Sequence, residues 1–165
     1  MQLSRDDRPP RPGPKMDFLT VRHMTTEKYI CIGRRVWSGH IHWIAGRSVP
    51  CVSQERDCPN CNPSTPRRWV GYIHVFTPDY KRDVFLTLPP GAGFALLSGL
   101  PEDYDLRGRR LSIKRDGKAI TSPLVIQLDP TFLANFGLPP EKDPAEYLEE
   151  VFRKVLHLTE PRQAS

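Results

Sequence analysis

From Asp17 onward the chain breaks into short apolar runs of strand length, set apart by glycine, proline and charged positions. DFLTVRHM, KYICIGRRVW and GHIHWI are rich in β-branched and aromatic residues and carry no helical period, so they predict strands. In GHIHWI the alternation puts His40 and His42 on one face and Ile41 and Trp43 on the other. After a cysteine-bearing stretch, WVGYIHVF and DVFLTL predict two more strands, the first with Val70, Tyr72, His74 and Phe76 facing opposite to Gly71, Ile73 and Val75. LPPGAGFALLSGLP opens on proline and glycine, is helix-compatible in the middle and closes on Gly99 and Pro101, which predicts a short helix. A hairpin follows. Leu111 and Ile113 alternate with Arg110, Ser112 and Lys114, Asp116-Gly117 supplies the turn, and Leu124, Ile126 and Leu128 alternate on the way back. Pro123 makes that return strand an edge or bulged strand.

The last periodic segment is DPAEYLEEVFRKVLHL. Asp143 caps it, Pro144 takes its first position and Glu146 completes a capping box, while Leu148, Val151, Phe152, Val155 and Leu156 form one apolar stripe. Such a helix either docks on the body or binds a partner. Strands, an inserted cysteine loop, two more strands, a short helix and a closing hairpin make the fold class mainly β. That order is the layout of an OB-fold, a Greek-key barrel with a helix between its third and fourth strands. The division is a disordered leader at 1–15, a β domain at 16–130 with a lobe at 39–69, a helical extension at 131–158 and a disordered tail at 159–165.

The lobe holds the clearest chemistry. Cys58 and Cys61 form a C-x2-C knuckle that presents two thiolates to one ion, with Pro59-Asn60 in its turn, and Cys51 precedes it across the polar loop VSQERD. With a histidine this makes a closed, structural Zn2+ site. His42, His40 and Cys31 compete for the fourth position; His42 has the shorter connection to Cys51, and Cys31 between two isoleucines reads as a core thiol. No H-E-x-x-H pattern or carboxylate cluster suited to magnesium accompanies the site, so the expectation is a protein that is not an enzyme.

Charge adds a partner. The 165 residues carry a formal net charge of +5 and a pI near 9.2, with arginine supplying most of the surplus cations, and its planar fork suits phosphate. Basic residues recur beside aromatics: Arg34-Arg35 before Trp37, Arg47 after Trp43, Arg67-Arg68 before Trp69 and Tyr72. The hairpin adds Arg109, Lys114, Arg115 and Lys118. Cations that follow phosphates and ring faces that stack bases are the two ingredients of a single-strand groove. No run approaches the roughly 20 apolar residues needed to span a bilayer, and the first fifteen residues lack the apolar core of a signal peptide. Cytoplasmic location is the default expectation.

The ligand order histidine, cysteine, C-x2-C inserted in an OB-like body with a basic face resembles the zinc-containing single-stranded DNA-binding proteins of tailed phages. The resemblance covers residues 16–130. It implies His42 or His40 with Cys51, Cys58 and Cys61 as metal ligands, a DNA groove beside the zinc lobe, and DNA over RNA as the polymer. The competing expectation is a zinc-stabilised assembly module that docks a protein partner through the helix at 144–158.

Overall fold

A computed structural model describes residues 18–19, 25–44, 47–51, 57–77, 79, 81–119 and 122–147. The leader at 1–15, the stripe from Leu148 to Leu156 and the tail at 159–165 lie outside them. In chain order the elements are β1 (Phe18–Leu19), β2 (Glu27–Cys31), β3 (Trp37–Ile44), β4 (Arg47–Pro50), β5 (Arg68–Phe76), β6 (Asp83–Leu88), α1 (Pro90–Ser98), β7 (Arg110–Arg115) and β8 (Leu124–Leu128).

β5 is the centre of the sheet. Along one edge it pairs antiparallel with β6 from Gly71↔Leu88 to Phe76↔Asp83. Its other edge is shared: β2 takes the far end at Ile30↔Phe76 and Cys31↔Val75, and β3 takes the near end from Trp37↔Tyr72 to Ile41↔Arg68. β2 also pairs with β7, which pairs with β8. A strand enclosed on both edges and both faces reads as a continuous apolar run, and Val70 to Val75 are all buried.

The sheet is mainly antiparallel and open, without the closed barrel that the element order suggests. β6 gives its outer edge to β1, in parallel register with Phe18 opposite Phe85 and Leu19 opposite Leu86. β8 ends the other side of the strand order. α1 packs against both β5 and β8, burying Ala92, Gly93 and Leu96. Its seat depends on two glycines, because the Trp69 ring fills the space that a Cβ on Gly71 or Gly93 would occupy. The β7–β8 connection also differs from the Asp-Gly turn. Pairing stops at Arg115↔Leu124, the Asp116 N–H donates to the Pro123 carbonyl at 2.8 Å, and Gly117 turns the longer loop with φ of 128°.

Several arginines hold this body together. Arg34 pairs with Asp105 at 2.5 Å, and Arg35 donates to the Glu102 carbonyl at 2.8 Å while lying over the Tyr104 ring. Arg110 pairs with Asp129 and covers Phe132. Arg107 donates to the carbonyls of Ile32, Leu138 and Pro139, which fixes the segment after β8 as a strap across the end of β2. The strap finishes at a polar joint. The Arg34 N–H donates to Glu141 Oε1, Lys142 Nζ meets Asp83 Oδ2 at 2.7 Å, and the Lys142 N–H donates to His74 Nδ1 at 3.2 Å. Asp143 then accepts the Ala145 N–H at 2.8 Å as a helix cap, residues 144–147 are helical, and the Tyr147 ring lies 5.6 Å from that of Phe85. Asp143 therefore acts as the capping residue that its sequence position predicts, and this first turn docks on the chain's own body. Among the described residues, no helix is long and apolar enough to cross a membrane.

A Gly93→Ala substitution should lower unfolding stability by about 1–3 kcal/mol in urea titrations, since the added methyl overlaps the Trp69 indole. The joint makes stability depend on pH. His74 donates from Nε2 to Asp83 at 2.6 Å and accepts at Nδ1, an arrangement that suits only the neutral ring. Burial holds its pKa below the ordinary value against the pull of the Asp83 hydrogen bond and charge. Burial alone would raise Asp83, but its hydrogen bonds to Lys142 and His74 outweigh that and hold the carboxyl low. The unfolded chain thus binds more protons at both groups. Stability should be fully present above about pH 6.5 and fall as the pH drops below it, and urea midpoints between pH 5 and 7.5 that rise on acidification would contradict this.

Candidate functional site

The β3–β4 hairpin and the loop that follows it gather four side chains that could hold a metal ion. β3 leaves the edge of β5 after Ile41↔Arg68 and continues with β4 through His42↔Val49 and Ile44↔Arg47. His42 therefore stands just past the last β5 pair, where residues 57–66 fold back over it. The Cys61 N–H donates to the Cys58 carbonyl at 3.2 Å and closes the knuckle turn, while the Cys51 N–H donates to the His40 carbonyl at 2.9 Å. Asn62 Oδ1 accepts the N–H groups of Ser64 and Thr65, and the Thr65 hydroxyl donates to the Asn60 carbonyl at 2.6 Å. These bonds return the chain so that the Thr65 carbonyl faces His42.

The ligand atoms of His42, Cys51, Cys58 and Cys61 all lie within 4.8 Å of one another. Cys51 Sγ and Cys61 Sγ are 3.5 Å apart, and His42 Nε2 lies 3.5 Å from Cys58 Sγ and 3.6 Å from Cys61 Sγ. With bonds of about 2.3 Å to sulfur and 2.0–2.1 Å to nitrogen, a tetrahedral ion requires S···N edges of about 3.6 Å and S···S edges of about 3.8 Å. These three edges lie within about 0.3 Å of those values. His42 Nδ1 sits 2.6 Å from the Thr65 carbonyl, so Nδ1–H donates there and the Nε2 lone pair points at the sulfurs, the tautomer that a metal ligand needs. The Cys61 thiol is pushed up to about 11, first by its contact with Cys51 and then by burial. A cation reverses that preference by neutralising the gathered sulfurs. Four donors complete a tetrahedron, and the set can hold a metal ion, compatible with zinc.

The alternation along β3 left two histidines open, and packing separates them. His40 is half-buried opposite Trp69, with burial and nearby Arg67 lowering its pKa. Cys31 is completely buried in the apolar core, which pushes its thiol far up.

Compared with protein-family models, curated proteins and solved structures, the chain matches none.

Beside the metal lobe lies a cleft of about 710 Å3. Its walls are the β3–β4 hairpin (Ile41, Trp43, Ser48), the start of β5 (Arg68 to Val70), the β6–α1 junction (Thr87 to Ala92) and the base of the β7–β8 hairpin (Arg115, Ser122, Pro123, Leu124). Among the described residues the lining is mostly apolar, with two arginines and no acidic residue. Arg115 is 8% exposed and donates from Nη1 to the Ser122 carbonyl at 2.5 Å, so its guanidinium is fixed in the wall. Arg67, Arg68, Lys114 and Lys118 are exposed.

The structure brings Arg68, Trp69 and Arg115 to this one cleft, while the other described contacts are not among its lining residues. Trp37 pairs with buried Tyr72 within the sheet. Arg34 and Arg35 brace the loop before β7, and Arg109 is half-buried with its carbonyl bonded to the Cys31 N–H. The side chain of Arg47 lies outside the described residues. One contributor escaped the sequence reading and another was underrated there. Thr65 acts through a backbone carbonyl that has no side-chain signature, while Trp43, 57% exposed, entered only as the aromatic before Arg47.

Protein purified without chelator should carry about one metal ion per chain by elemental analysis, and Cys58→Ser should lose both the ion and the folded lobe, since a structural site contributes folding energy. Metal-free protein with an unchanged melting curve would contradict this.

Proposed function

We propose that the chain is a non-enzymatic single-stranded nucleic-acid-binding protein whose OB-like body is braced by structural zinc. The observation that carries the reading is the cleft, where a basic, aromatic-lined mouth opens between the metal lobe and the β7–β8 hairpin. Its two arginines, with the exposed Lys114 and Lys118 of the β7–β8 hairpin, supply cations for phosphate, while Trp43 supplies an exposed ring face.

The strand order supports the OB-like part. β2 and β3 together act as one interrupted first strand that pairs with β5 and β7, and α1 stands between β6 and β7. These pairings support an OB-like reading of an open sheet, with the metal loop inserted after the first strand. Three thiolates and one imidazole favour zinc, and with four protein ligands the ion keeps no open position for a reacting water. The resemblance to the phage proteins favours DNA over RNA.

Filter binding of a labelled oligonucleotide at two salt concentrations tests the reading. Affinity should fall with salt at a slope of about −0.7 per phosphate neutralised, and Arg68→Ala should reduce that slope by about 0.7. Absence of binding at low salt, or binding indifferent to salt, would sink it.

A further inference from the structure

Trp43 is the anomaly of the metal lobe. More than half of its large apolar surface is exposed, on a hairpin strand where Ser48 stands opposite. Trp69, the other tryptophan of the cleft, is spent internally, its ring wedged over Gly71 and Gly93 against the core. Trp43 makes no comparable contact among the described residues, yet it lines the cleft mouth. The cleft falls within the roughly 300–1,000 Å3 of small-ligand pockets, and its apolar lining is broken by the hydroxyls of Ser48, Thr87 and Ser122 and by two arginines.

We propose that the cleft takes one unpaired base of a bound strand, stacked on the indole of Trp43, with Arg68 and Arg115 meeting the flanking phosphates. This rests on the nucleic-acid reading above and adds a specific register to it. Charge selects the occupant. Among its described residues the lining has two cations and no anion, which suits a ligand that joins an apolar ring to negative charge, as a nucleotide does and an apolar peptide does not. Arg115, held by the Ser122 carbonyl, stands ready without reordering. A base can enter only when unstacked and unpaired, so the cleft discriminates single strands from duplex.

The test uses the metal-loaded full chain and a fluorescent oligodeoxythymidine, alongside the same strand carrying abasic spacers and a duplex of equal length. The wild type should bind the intact strand about ten-fold or more tighter than either control, the scale of one stacked base. Trp43→Ala should lose that preference while keeping the salt slope, and Trp43→Phe should restore much of it. Ultraviolet crosslinking of a halogenated-uracil strand to the unmutated protein should map to Trp43, a readout that needs no variant to fold. Equal binding of intact and abasic strands, or Trp43→Ala binding like wild type with crosslinks only at Lys114 or Lys118, would overturn base insertion while leaving nucleic-acid binding in place. That result would assign the cleft to another occupant, such as an apolar peptide. No binding of any strand at low salt would overturn both.

Discussion

The structure depends on how β5 shares its edge. One face of the hydrogen-bond ladder belongs wholly to β6, but the other is divided between β2 and β3 because the chain bends between Cys31 and Trp37. The division sends β2 toward β7 and lets β3 run on past the end of β5 into its own hairpin with β4. His42 occupies the first position beyond the shared edge. The metal lobe and the cleft beside it are thus consequences of one backbone constraint, with Trp69 over Gly71 and Gly93 setting the distance between β5 and α1.

Cationic side chains divide into two populations. Arg34, Arg35, Arg107 and Arg110 face carboxylates, carbonyls and rings of their own chain, where they hold the loop before β7 and the strap after β8. Arg68, Lys114 and Lys118 are exposed near the metal lobe and the hairpin. A charge count treats both groups alike, although the second presents its charge to solvent. The strap extends this internal economy: Lys142, His74 and Asp83 form a joint whose proton inventory suits near-neutral pH.

The metal donors were the most legible part of the site, because a C-x2-C turn constrains its own geometry within a few residues. His42 was favoured over His40 by its shorter connection to Cys51, but strand alternation could not separate the two, and the structure does so through the register against β5 and the returning Thr65 carbonyl. The strands and α1 lie close to where apolar runs predict them, whereas the hairpin loop is longer than its Asp-Gly pair suggests. The exposure of Trp43, named beside Arg47, was not legible for a physical reason. Alternation reports which side of a strand is apolar, and it cannot say whether anything covers that side.

The sequence by itself determined the β character of the chain, the helix starts at Pro90 and Asp143, and the three thiols of the lobe, because propensity, capping and knuckle geometry act over a few bonds. Tertiary structure alone decided that the sheet stays open and that Arg115 is buried in a cleft wall while Trp43 stands exposed at its mouth. Those outcomes depend on which strands meet across long stretches of chain. Long-range register leaves no local pattern to read.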